Sequence, residues 1–154
     1  MIKKLFLGII LITIVTAGLA CSTRQSLPLD DKTWLSPGKI EVSNFQPGKS
    51  TSQKITLHNG SKATVQYTMY YRTPDYVEQG FDAAPIDAQS WVTIIDQNPV
   101  LTSGETREIM VTLKLPSEAK TMSHWEFWIG VRAAKETGLT AELCSRWLIS
   151  MGEN

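Results

Sequence analysis

Residues 36–61 read SPGKIEVSNFQPGKSTSQKITLHNGS, two runs of alternating apolar and polar residues with turn residues between them. Ile40 and Val42 share one face of the first run, and Ile55 and Leu57 share one face of the second. This period of two is typical of β-strands that bury one face. The QPGK sequence between the runs is rich in turn formers. The stretch therefore predicts antiparallel β-structure.

The Asn59-Gly60 pair follows the second run directly. Both residues tolerate positive φ angles, so this dipeptide is a strong signal for a two-residue hairpin turn. The alternating residues of 65–71 would then form the returning strand. The sequence thus predicts a hairpin between residues 54–58 and residues 65–71.

The second half of the chain repeats the pattern. Further strand-like runs lie at residues 91–95, 109–115, 125–131 and about 142–151, and short helix candidates are confined to residues 83–90 and 117–120. Because a stack of hairpins would leave one apolar face in water, two sheets must cover each other. We expect an all-β fold, a seven-stranded immunoglobulin-like antiparallel β-sandwich over residues 37–154, preceded by an N-terminal signal or anchor helix.

A resemblance to known proteins supports this fold. The runs SPGKIEV (36–42), QPGKS (46–50) and ITLHNGS (55–61) resemble the start of a broad immunoglobulin-like superfamily, and SGET (103–106) followed by VTLKLP (111–116) is similar to a later segment of it. That superfamily includes PapD-like chaperones, major sperm protein and bacterial WxL-interacting surface domains. The resemblance spans roughly residues 36–131 and implies the fold more than a function.

The charge balance argues against a nucleic-acid partner. The chain has 154 residues, with 15 Lys and Arg against 15 Asp and Glu, so it has no excess of cations to neutralise phosphates. Residues 1–20 contain two of these basic residues and no acidic one, which leaves the remainder mildly acidic. The two cysteines cannot supply a disulfide framework, so an ordinary apolar core is expected.

The N-terminus has the layout of an export signal. Lys3 and Lys4 precede an apolar stretch, and small residues precede Cys21. Residues 18–21 (GLAC) resemble the lipobox of bacterial lipoproteins, which implies lipid attachment at Cys21. Cleavage after residue 20 and retention as an uncleaved anchor are the alternatives, since residues 5–23 would span about 28 Å as a helix. All three fates place the rest of the chain outside the cytoplasm. We expect it at the cell envelope, anchored to the membrane by a lipid or by a single N-terminal helix.

Residues 1–20 are therefore assigned to a signal peptide or membrane anchor, and residues 21–36 to a polar tether. Trp34 and Leu35, near the end of the tether, are expected to pack on the domain. Cys144 is expected to be an unpaired, buried thiol, with a disulfide to Cys21 as the alternative.

The sequence offers little for catalysis. His58 adjoins a turn, and His124 and Glu126, two residues apart, would supply only two ligands of a metal site. We expect both histidines and Glu126 to lie on polar surfaces. Phosphate-binding loops and nucleophile elbows are absent from the sequence. We therefore expect no enzyme, no catalytic residues, no metal and no cofactor.

Binding is the better hypothesis, and the aromatic residues outside the inward-facing sets indicate where to look. The connection from residue 72 to residue 90 is long for a hairpin, and such loops often carry function. The candidate ligand-binding residues are Arg72, Tyr76, Phe81 and Trp128. Exposed rings could bind a sugar or a protein. Alternatively they cap the ends of the sandwich, or Trp128 is buried against a loop.

These observations favour a membrane-tethered, extracytoplasmic domain that binds or scaffolds an envelope protein. The first alternative is a carbohydrate-binding module that binds a cell-wall glycan through the exposed aromatic residues of the loop 72–90. A periplasmic assembly chaperone ranks third, because the paired basic residues with which PapD-like chaperones hold a pilin carboxylate cannot be identified in this sequence.

Overall fold

A computed structural model describes residues 32–119, 123–133 and 142–152. Within these residues the chain forms ten strands and one short 3₁₀ helix, Ile86–Trp91. The strands are β1 (Trp34–Ser36), β2 (Lys39–Phe45), β3 (Ser50–His58), β4 (Val65–Arg72), β5 (Asp82–Ala83), β6 (Val92–Ile94), β7 (Val100–Leu101), β8 (Thr106–Lys114), β9 (His124–Ala133) and β10 (Glu142–Met151).

The strands form two sheets, as the alternation predicted. One sheet has the order β1-β3-β8-β6, and the other has the order β2-β10-β9-β4-β7, with β5 paired to β9. The all-β sandwich is thus confirmed, with ten strands in the described residues instead of seven. Two pairings are parallel, β2 with β10 and β5 with β9, so the prediction of a wholly antiparallel fold is wrong.

The core lies between the sheets and follows the period-two pattern. Ile55 and Leu57 of β3 have no exposed surface. Facing them are fully buried side chains from the other sheet, such as Phe127, Ile129 and Trp147, which are at most 2% exposed. Phe127 stacks on Trp147 at 5.5 Å between ring centroids. The inward faces of the main strands therefore match those predicted from the alternation.

The predicted hairpin at Asn59-Gly60 is wrong. Strands β3 and β4 belong to different sheets, so the chain crosses the sandwich at this point. Asn59 is fully buried, and its amide donates to the backbone oxygens of Ala63, Leu101 and Thr102 at 2.8–3.0 Å. Its side-chain oxygen accepts from the Tyr67 hydroxyl at 3.0 Å. The Asn-Gly dipeptide therefore does not mark a surface turn here. Asn59 instead bonds buried backbone groups at the point where the chain passes from one sheet to the other.

The segment before β2 already belongs to the sandwich. Strand β1 pairs with β3, and the Trp34 ring stacks on His58 at 5.2 Å, in agreement with the expected packing of Trp34 and Leu35. The helix candidate of residues 83–90 is the 3₁₀ helix. The predicted signal or anchor, the tether up to residue 31 and Cys21 lie outside the described residues. Among the described residues, no helix has the length and apolar character needed to cross a membrane.

Candidate functional site

The outer face of the larger sheet carries one row of side chains across four neighbouring strands. In β9, Phe127 and Ile129 point into the core, so Trp128 between them points outward. Trp128 lies opposite Arg72 of β4 on one side and Arg146 of β10 on the other, and Arg146 lies opposite Lys39 of β2. We refer to these four residues as the cation–aromatic row.

Glu126, two residues before Trp128, is the buried charge of this face. Its carboxylate has no exposed surface and accepts from Arg146 Nε at 2.7 Å, from Trp128 Nε1 at 2.6 Å and from the backbone N–H of Glu78 at 2.6 Å. Burial raises the pKa of this carboxyl, but the hydrogen bonds, first of all from Arg146, outweigh burial and hold the pKa below its ordinary value. Glu126 is therefore an anion that links β9 and β10 to the segment that contains Glu78.

Arg72 forms a second ionic centre at the other end of the row. Its guanidinium contacts Asp75 and donates to Glu142 at 2.6 Å, while its carbon lies 5.2 Å from the centre of the Trp128 ring. The other Glu142 oxygen accepts from the Tyr70 hydroxyl at 2.5 Å. Burial and this hydrogen bond raise the pKa of Tyr70 to about 12.

Cys144 lies beside this centre as a half-buried free thiol, 3.7 Å from Arg72 Nη1. Burial is the main cause that raises the pKa of the thiol, and the Glu142 charge adds to it. A raised thiol pKa disfavours the thiolate that nucleophilic chemistry requires. Cys144 was expected to be buried but is half-buried. Cys21, its alternative disulfide partner, lies outside the described residues.

The loop of residues 73–81 covers the row. Tyr76 packs its ring edge-on against Trp128 at 5.1 Å, and the Arg146 guanidinium lies 5.7 Å from the Tyr76 ring. The Glu78 carboxylate reaches both Lys39 and Arg146, at 3.5 and 3.4 Å. Although it is held at these points, Tyr76 remains 64% exposed. The row thus fixes the loop and presents one aromatic ring to solvent.

Three of the four predicted binding residues come together here, and the fourth does not. Arg72 and Tyr76 both contact Trp128, whereas Phe81 packs edge-on against His124 at 5.6 Å. Trp128 is only 5% exposed, so its interpretation as an exposed ring is wrong and the alternative, burial against a loop, is correct. Trp128 therefore supports Tyr76 from below, and Arg72 packs on Trp128.

Glu126, Arg146 and Lys39 are not among the ligand-binding residues predicted from the sequence. Glu126 was expected on a polar surface but is buried, because Arg146, twenty residues later in the chain and on the neighbouring strand, supplies its counter-charge. The only local signal was the occurrence of Trp-Glu-Phe-Trp at 125–128, in which a charge interrupts an otherwise apolar strand. Burial of such a charge generally requires an ionic partner.

The residues considered for metal binding do not form a site. His124 is paired with Ser150, 3.1 Å from its hydroxyl, while Glu126 is bound by Arg146. In the part of the chain that the structure describes, no three His, Cys, Asp or Glu side chains are placed to hold a metal ion.

Comparisons with known proteins bear on the fold. No protein-family model matches the sequence, and no curated protein matches it. Among solved structures, a PapD-like domain of human CEP192 is similar at a TM-score of 0.60 and 16% identity, over 80% of this chain and 87% of that one. A putative carbohydrate-binding protein from Bacteroides ovatus has a TM-score of 0.61 at 11% identity, over 79% of this chain and 37% of that one.

Several chaperones are similar in fold as well. The YadV chaperone has a TM-score of 0.56 at 11% identity, and 79% of this chain corresponds to 52% of the chaperone, so the chain spans about half its length. These likenesses agree with the resemblance seen in the sequence. The chain has an immunoglobulin-like sandwich fold, similar to that of the PapD-like domain and of the chaperone.

Proposed function

We propose that this protein is a non-enzymatic binding module of the cell envelope, and that it captures a protein partner through the loop of residues 73–81. The observation that carries this proposal is Tyr76, which is 64% exposed yet held by Trp128 and Arg146. An exposed tyrosine whose position is fixed before binding loses little conformational entropy on association. Tyrosine is also enriched among residues that dominate binding energy.

The distribution of apolar surface supports the same region. Six large hydrophobic side chains are exposed in the described residues, and two of them, Tyr76 and Val77, are neighbours in the loop of residues 73–81. Exposed apolar side chains grouped in one segment are typical of interaction surfaces. The fold family supports protein binding in a general way, since one structural neighbour is a chaperone–tip adhesin complex.

The envelope location and the membrane tether rest on the sequence. The basic start, the apolar stretch and the lipobox-like GLAC before Cys21 support an exported chain that is anchored by lipid or by an uncleaved helix. Mass spectrometry of the mature protein distinguishes these anchors. A diacylglyceryl-modified Cys21 at the new N-terminus supports lipidation, whereas an intact residue 1 supports the uncleaved helix.

The binding proposal is tested by affinity capture with the full-length protein from detergent-solubilised envelope fractions. We expect a discrete partner with the natural protein and its loss with Tyr76→Ala. Ile95→Ser is the matched control, because Ile95 is also exposed, at 58%, but follows β6 in the other sheet. Equal recovery of the partner by the natural protein, Tyr76→Ala and Ile95→Ser would contradict the assignment of the partner to this loop.

A second candidate function is glycan binding. It is favoured by the similarity to the putative carbohydrate-binding protein from Bacteroides ovatus and by a cleft that contains two tryptophans. The cleft lies at the 3₁₀ helix and does not include Tyr76. The two functions can therefore be tested with separate variants.

A further inference from the structure

A cleft of about 740 Å³ opens where three segments meet: the 3₁₀ helix, the turn that follows β8, and the start of β9. This volume is within the range of about 300–1,000 Å³ that is usual for small-molecule sites. None of the four residues predicted from the sequence lines it. The cleft is thus a separate feature from the cation–aromatic row.

Two tryptophans form one wall of the cleft. The rings of Trp91 and Trp125 lie 5.4 Å apart between centroids, tilted by 39°. Both side chains are half-buried, because they pack against the core on one side and line the cleft on the other. Their orientation is therefore fixed by the core, and the wall offers a broad apolar surface of the kind on which a sugar ring stacks its C–H face.

The remaining lining combines apolar Pro85, Pro116 and Ala119 with polar side chains that are rich in acceptors. Asp87 and Glu118 are exposed carboxylates at the cleft, and Ser90 and Ser123 add hydroxyls. The Ser90 hydroxyl already donates to the Asp87 carbonyl at 2.7 Å. Carboxylates accept hydrogen bonds but do not donate them. A ligand that fits this wall and these acceptors must combine an apolar face with several hydrogen-bond donors.

We propose that this cleft is a binding site for an uncharged pyranose unit of a glycan, which stacks on Trp91 and Trp125 and donates its hydroxyls to Asp87 and Glu118. A pyranose has the required combination of an apolar face and hydroxyl donors. The two exposed carboxylates repel uronic acids and sulfated sugars, which disfavours anionic glycans. The proposal rests on the second candidate function and gives it a site and a substrate class.

A titration of the full-length protein with defined oligosaccharides tests this site. The protein is held in a detergent without a sugar headgroup, and the probes are chitotetraose, cellotetraose and polygalacturonate. We expect at least one neutral oligosaccharide to bind with a change in tryptophan emission, and polygalacturonate to give no change. Asp87→Asn, on an exposed residue, should weaken binding about tenfold, as expected for a hydrogen bond to a charged group.

Trp91→Ala should abolish the binding and the emission change. Tyr76→Ala is the control that should leave sugar binding unaltered, and the same Tyr76→Ala protein should lose the protein partner. Failure of both neutral sugars to bind at millimolar concentration would overturn the sugar site. Unaltered sugar binding by both Asp87→Asn and Trp91→Ala would overturn it as well. Binding of polygalacturonate as strong as that of the neutral sugars would have the same consequence. Each of these results leaves the capture of a protein partner by Tyr76 to be judged by its own assay.

Discussion

Glu126 and Arg146 show how one ion pair organises the outer face of the sheet. The pair joins adjacent strands β9 and β10, and Glu126 also holds the loop through the backbone N–H of Glu78. Removing one partner of a buried pair leaves the other as an uncompensated charge, which is far more costly than the pair itself is stabilising. The integrity of the loop that presents Tyr76 therefore depends on this pair.

Arg146→Ala should lower the free energy of unfolding by about 3 kcal/mol, because it leaves Glu126 buried without its guanidinium. Urea unfolding followed by tryptophan fluorescence measures the change. Lys54→Ala is the control: Lys54 pairs with Glu108 at 2.6 Å, but both side chains are about 60% exposed, so the loss should be small. Equal destabilisation by the two substitutions would contradict a buried, structural role for Arg146.

The lowered pKa of Glu126 predicts a dependence of stability on pH. A carboxyl whose pKa is lower in the folded state binds fewer protons there, so its stabilising contribution is complete above the ordinary value of 4.5 and is lost as the pH falls through the lowered pKa. Glu126→Gln cannot titrate. The stability gap between the natural protein and Glu126→Gln should therefore narrow as the pH falls from about 7 to about 3.

Urea midpoints for both proteins across this pH range provide the measurement. A gap that stays constant down to the lowest pH would show that the Glu126 pKa is not lowered by folding.

Strands and their faces could be predicted from the sequence, whereas their partners could not. The period of two is local, so runs such as residues 109–115 identify buried faces without any knowledge of the fold. Whether the chain turns back or crosses to the other sheet depends on distant residues. At Asn59-Gly60 the choice is made by Leu101, Thr102 and Tyr67, which contact the Asn59 amide from later parts of the chain.

In the candidate site, too, features of a single segment could be predicted from the sequence, whereas contacts between strands could not. Arg72 and Tyr76 could be found because they flank or occupy a long connection, and such connections are frequent binding sites. The carboxylate that anchors this loop is on β9 and its counter-charge is on β10, so their meeting depends on strand order. The Trp91–Trp125 wall was missed for the same reason, since the two rings come from segments more than thirty residues apart.

Gly60 allows the backbone before β1 to lie close to the segment that connects β3 to β4. A Cβ atom at Gly60 would lie 2.3 Å from the Lys32 carbonyl carbon, so even alanine requires the backbone before β1 to move. Gly60→Ala should therefore loosen β1 from β3 and accelerate amide hydrogen exchange at Leu35. Gly38→Ala is the matched control, because a Cβ atom there meets nothing within 4 Å. Unchanged exchange at Leu35 in Gly60→Ala would contradict this close approach.

At the scale of the molecule, the sandwich separates two surfaces. The outer face of the larger sheet carries the cation–aromatic row and presents Tyr76, whereas the Trp91–Trp125 cleft opens at the 3₁₀ helix and the turn after β8. The two sheets pack on a common core, which provides a rigid scaffold for the cation–aromatic row and for the cleft. We propose that two such surfaces allow the protein to hold a protein partner and a glycan at the same time.

Photo-crosslinking in the cells that produce the protein tests the central claim most directly. A photoreactive phenylalanine analogue at position 77, next to Tyr76 and 38% exposed, should yield one discrete crosslinked protein. The same analogue at position 95, exposed beyond the opposite sheet, should not yield it, and Tyr76→Ala should abolish the adduct at position 77. The same adducts from both positions, or no adduct from position 77, would contradict the proposal that this loop binds a protein partner.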